Sequence, residues 1–127
     1  MSGRVVHFEV PFDDGDRARG FYRDVFGWQI MAMPEMGYNI VTTGPATDEG
    51  MPAEVGYIGG GMLDRQDPVQ APVIVLEVDD IDASLAAVAQ HGGRSVRDKM
   101  PVGDMGFAAY FEDSEGNLMG LWQTAAG

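Results

Sequence analysis

The same order of features occurs twice in this chain, and that repetition restricts the fold more than any single motif does. Residues 5–10 read VVHFEV and residues 73–78 read VIVLEV, matching in character at each position except His7. β-Branched and aromatic residues of this density are what a strand through a packed interior needs. Each stretch runs into acidic residues (Asp13, Asp14 and Asp16; Asp79 and Asp80), then a helical segment, then a glycine stop at Gly27 or at Gly92 and Gly93. The aspartates supply N-caps and complement the positive end of the helix dipole, and the glycines supply the left-handed residue that ends a helix. In the first helix Ala18, Phe21, Tyr22, Val25 and Phe26 fall at i, i+3, i+4, i+7 and i+8, which predicts one apolar stripe.

Three strands are predicted after each helix. In the first half they are Gln29–Met33, Tyr38–Thr42 beyond a turn at Pro34, Met36 and Gly37, and Tyr57–Leu63. Residues 44–56 (GPATDEGMPAEVG) read as an exposed loop, and Asp64–Pro72 reads as the linker between halves. In the second half they are Arg94–Val96, Phe107–Glu112 and Leu118–Gln123, the last two joined by the tight turn DSEGN at 113–117. The expected fold class is therefore α+β: one domain over 1–127, with internal βαβββ modules at about 1–64 and 72–127. One such module leaves a sheet face bare, so the two are expected to pack together in a curved, partly closed mixed sheet around a cavity.

Charge and composition narrow the function. Twenty acidic residues against eight basic ones give −12, which repels phosphate backbones and anionic membranes and steers cations inward. Nucleic-acid and membrane partners are thus not expected. Zero cysteines remove disulfides, thiolate metal sites and cysteine nucleophiles. No run of about 18 apolar residues predicts a membrane span, and the opening MSGRVVHFEV lacks the basic-then-apolar pattern of a secretory signal. A cytoplasmic location is the expectation. The glycines of GGGML come without the lysine and following helix of a phosphate-binding loop.

HFEVP…FYRDVFGW at 7–28, EVDDIDASLAAVAQHGG at 77–93 and FEDSEGNLMGLWQ at 111–123 resemble the glyoxalase/bleomycin-resistance/extradiol-dioxygenase superfamily, the vicinal oxygen chelate proteins. That superfamily includes metal-dependent isomerases and lyases, ring-cleaving dioxygenases, antibiotic-destroying thiol transferases and non-catalytic drug-binding proteins, so the resemblance implies a fold before an activity. Its metal-dependent members hold one divalent ion with side chains from four strands, usually two His and two Glu. Carried over residue by residue, the first position falls on His7, spaced as expected from Phe21 and Tyr22. The second falls within Gly59, Gly60 and Gly61. The third falls on Val73 if the helices are aligned or Val75 if the strands are, and the fourth on Gly120.

One position in four thus keeps a ligand, and metal chemistry needs about three. No metal and no other cofactor are expected. A set of His7, Glu9 and Glu77, sharing strand faces by alternation, is the alternative non-standard site. The same three are the candidates for catalytic acid–base work, and the plain alternative makes the two glutamates hydrogen-bonded cavity or strand-end groups. Residues expected to face a ligand are His7, Glu9, Tyr38, Gly60, Glu77, Phe107, Gly120 and Trp122, with the glycines enlarging the space and methionines such as Met31, Met33, Met36, Met51, Met100 and Met105 available as an adaptable mouth. Each aromatic among them is equally readable as core. The resulting expectation is a metal-independent binder of a small organic molecule, aromatic or cationic, working as a homodimer in the manner of the drug-sequestering relatives. The alternatives are a metal-dependent lyase, isomerase or dioxygenase with unusual ligands, and a metal-free acid–base enzyme acting on a carbonyl compound.

Overall fold

A computed structural model describes residues 3–48 and 51–126. In chain order the elements are β1 (Val5–Phe12), α1 (Gly15–Phe26), β2 (Gln29–Met33), a short 3-10 turn (Pro34–Met36), β3 (Tyr38–Thr42), β4 (Gly59–Asp64), β5 (Val73–Glu77), α2 (Ile81–Gln90), β6 (Arg94–Val102), β7 (Gly106–Glu112) and β8 (Leu118–Thr124). The chain forms two compact units, residues 7–72 and residues 1–6 with 73–127. Each is a βαβββ module, so the α+β duplication read from the sequence is the observed fold. Among the described residues no helix is long and apolar enough to cross a membrane.

In the first unit the strand order is β2-β3-β4-β1. β1 and β4 run parallel, with His7 beside Gly59 and Glu9 beside Gly61, and the other two pairings are antiparallel. The second unit repeats the plan as β5-β8-β7-β6, with β5 parallel to β8 and the rest antiparallel. The internal repeat therefore extends from residue pattern to strand pairing.

Local chemistry sets the helix ends. The Asp14 carboxylate accepts from the Arg17 N–H at 3.0 Å, and Gly27 closes α1 at φ 73°, where a residue with a β-carbon is strained. Asp80 does the same for α2 through the Ala83 N–H at 3.1 Å. The Ile81 N–H at the start of α2 donates to the Gln123 side chain at 2.9 Å, which ties that helix to β8. A core of Val78, Ile81, Leu85, Ala109, Phe111 and Leu121 lies under α2. Under α1 the core is Phe12, Val41 and Met62, with Phe8, Val10, Ala18, Tyr22, Trp28 and Ile30 packed against it. Met62 and Ile81 are wholly buried, and burial of one such side chain is worth about 1.5–3 kcal/mol.

The predicted stripe on α1 is corrected by the structure. Only Ala18 and Tyr22, one turn apart, meet the core, whereas Phe21, Val25 and Phe26 are exposed. Five apolar residues span a wider arc than a single sheet contact covers, so the flanking ones stay outside. β6 is also longer than the predicted Arg94–Val96. Register shifts between Ser95 and Met100 break the alternation by which a strand is recognised.

Candidate functional site

β-Strand parity sorts the first unit into two faces. Phe8, Val10, Asn39, Val41, Gly60 and Met62 point toward α1, and His7, Glu9, Tyr38, Gly59 and Gly61 point away from it. On this second face three side chains join in sequence. The Tyr38 hydroxyl donates to Glu9 Oε2 at 2.8 Å, and His7 Nε2 lies 2.8 Å from the same phenol oxygen. Glu9 is 8% exposed, so this hydrogen bond matters to it: a buried carboxylate without donors is costly. The rings of His7 and Tyr38 are near parallel, at 16° with centroids 6.3 Å apart. Burial holds the imidazole's pKa below its ordinary 6.5, and the negative charge of Glu9 partly opposes that shift.

Gly61 explains why the three can meet. A β-carbon placed there would overlap the hydroxyl and ring of Tyr38, so the bare backbone of β4 is the floor on which the tyrosine lies. Gly61, one of the three glycines within which a second ligand would fall, is covered from the next strand by a phenol.

The other candidates divide. Gly60, expected on this face, is on the opposite one, where the Phe8 ring covers it; β4 alternates from Gly59 and Gly61, which sit beside His7 and Glu9. In the second unit Val73, Val75, Glu77, Gly120 and Trp122 share the face away from α2, with Val75 beside Gly120 and Glu77 beside Trp122. Gly120 opens no space there, because Val75 Cγ2 already stands 3.0 Å from where its β-carbon would be. Trp122 lies across the backbone of Gly106 and donates from Nε1 to Thr124 Oγ1 at 3.2 Å. Phe107 is corrected: it packs with the α2 core, and the Lys99 ammonium sits 4.4 Å from its ring centre. Of the methionines, Met31, Met36, Met51 and Met105 are exposed.

The sequence reading missed an open hollow of about 380 Å³ at the start of α1, lined by Phe12, Asp14, Arg19, Met33, Tyr38 and Asp64 among others. Its wall is Arg19, which donates to Asp16 at 2.7 Å and to the buried Asn39 at 3.1 Å. The only signal was the run of aspartates, and capping already explained it.

The family resemblance implies a divalent ion, and the residues at those positions do not fit one. Gly59, Gly60 and Gly61 offer no side chain and Val73, Val75 and Gly120 offer no donor, which leaves His7 as a single ligand where about three are needed. Among the described residues no group of three His, Cys, Asp or Glu is placed to hold a metal ion.

Comparison with known proteins agrees with the fold. The bleomycin resistance protein-like N-terminal family matches residues 4–44. A glyoxylase-like domain-containing protein of Didymella fabae is 30% identical over 92% of this chain and 91% of its own length. A lactoylglutathione lyase of Haemophilus influenzae is 30% identical over 89% of this chain and 87% of its own. A methylmalonyl-CoA epimerase of Streptomyces coelicolor, solved with 2-nitronate-propionyl-CoA, superposes with a TM-score of 0.66 at 21% identity, covering 99% of this chain and all of that one. Motifs, repeated topology and relatives converge: the chain belongs to the glyoxalase/bleomycin-resistance, or vicinal oxygen chelate, superfamily.

Proposed function

We propose that this chain is a metal-independent small-molecule-binding protein of its superfamily, with His7, Tyr38 and Glu9 as the polar groups that receive the ligand. The observation that carries the reading is the Tyr38 hydroxyl, which bonds both His7 and Glu9 over the bare backbone of Gly61. A ligand site needs a few fixed polar groups, and this set is pre-organised by its own hydrogen bonds. With a net charge of −12, a cationic organic molecule is the favoured partner class, and the Tyr38 and His7 rings suit an aromatic one.

A second reading uses the same groups for catalysis. A buried carboxylate linked through a hydroxyl to an imidazole is also what acid–base work on a bound carbonyl compound requires.

The test is a thermal-shift screen of the purified protein with divalent metals and with cationic aromatic compounds, followed by product analysis for every hit. The proposal expects organic hits that are weakened in His7→Gln and Tyr38→Phe variants. Turnover of a hit moves the site to the catalytic reading. Stabilisation by metals alone overturns both.

A further inference from the structure

The two hydrogen bonds at Tyr38 are not independent, because a phenol has one proton. A carboxylate oxygen can only accept, so the Tyr38 proton lies toward Glu9 Oε2. The phenol oxygen must then accept from its other neighbour, His7 Nε2, 2.8 Å away. A neutral imidazole that donates from Nε2 carries its lone pair on Nδ1. Among the described residues Nδ1 of His7 has no hydrogen-bond partner.

We propose that Tyr38 is a positioning residue that fixes His7 as the Nε2–H tautomer, so that Nδ1 is the group the ligand meets and the ligand is one that brings a proton: an O–H, an N–H, or a C–H acidified by a neighbouring carbonyl. The inference rests on the proposed role of His7 and deepens it by naming the chemistry that His7 selects. Glu9 acts through Tyr38, by holding the phenol proton away from the imidazole. A reversed chain, with a proton on Glu9 and the phenol donating to Nε2, would put the hydrogen on Nδ1 and leave the site a donor.

The tautomer is directly readable. The chain has two histidines, and the exposed His91 can be removed as His91→Gln to leave a single imidazole. A long-range proton–nitrogen correlation spectrum of that variant, labelled with 15N and held above the titration range of histidine, is expected to show a protonated Nε2 and an unprotonated Nδ1. Tyr38→Phe added to it should give the mixed tautomer pattern of a free imidazole, with circular dichroism confirming the fold. Phenol should then move the Nδ1 resonance of the Tyr38-containing protein, and anisole, which lacks the O–H, should not.

A protonated Nδ1 overturns the proposal without any further variant. So does an unchanged tautomer in Tyr38→Phe, and any other pattern with the phenol pair overturns the ligand class. Because the first spectrum needs neither ligand nor metal, its failure leaves metal-independent binding standing, and stoichiometric metal in the protein would defeat that binding reading through elemental analysis instead.

Discussion

The ring of Tyr38 lies on the bare backbone of Gly61, with its hydroxyl in the space that a β-carbon there would take. That contact joins two strands paired in antiparallel register and carries the hydrogen bonds to His7 and Glu9. The glycine and the tyrosine are therefore one feature of the site.

Gly61→Ala should be costly for a small change. The methyl must displace a ring held at its far end by two hydrogen bonds, and overpacking of this kind costs about 1–3 kcal/mol. Tyr38→Ala should relieve much of it. A double-mutant cycle by denaturant unfolding is expected to give a coupling well outside additivity, and additive effects would show that the two residues do not share the space.

Asn39→Ala should destabilise the first unit through lost partners. Asn39 is buried, its amide donates to the Met62 carbonyl at 3.0 Å, and its oxygen accepts from Arg19. Leaving a buried carbonyl unpaired costs about 1–3 kcal/mol. Chemical denaturation should show a lower midpoint with an unchanged slope.

The pH dependence has a definite sign. Burial lowers the His7 pKa from 6.5 in the folded chain, so the unfolded chain takes up a proton that the folded one resists. Stability from this residue is complete above 6.5. It is lost as pH falls from there toward the lower folded value. From about pH 8 to about pH 5, the protein should lose more stability than His7→Gln does. Equal acid sensitivity of the two proteins would contradict the burial of a neutral imidazole.

Much of this was legible in the sequence because it is local. The Asp14 and Asp80 caps, the Gly27 stop and the βαβββ repeat each follow from neighbours within a turn or a strand. His7 and Glu9 on one face follow from alternation. What sequence could not supply was register. Gly60 went to the wrong face because three consecutive glycines give no parity of their own, and only the pairing of Gly59 with His7 fixes it. Phe107 was misplaced for the same reason. Its strand begins at Gly106 and alternates with Tyr110 on the other side. The use of Tyr38 to fill the place above Gly61 spans 23 positions of the chain, beyond the reach of any periodic pattern.

The most direct measurement is metal content. Protein purified without chelators, then equilibrated with Ni, Zn, Fe and Mn and desalted, should carry far less than one ion per chain by elemental analysis, and His7→Gln should not change that value. One ion per chain, retained on desalting and lost in His7→Gln, would contradict the account and return the His7 site to metal-dependent chemistry.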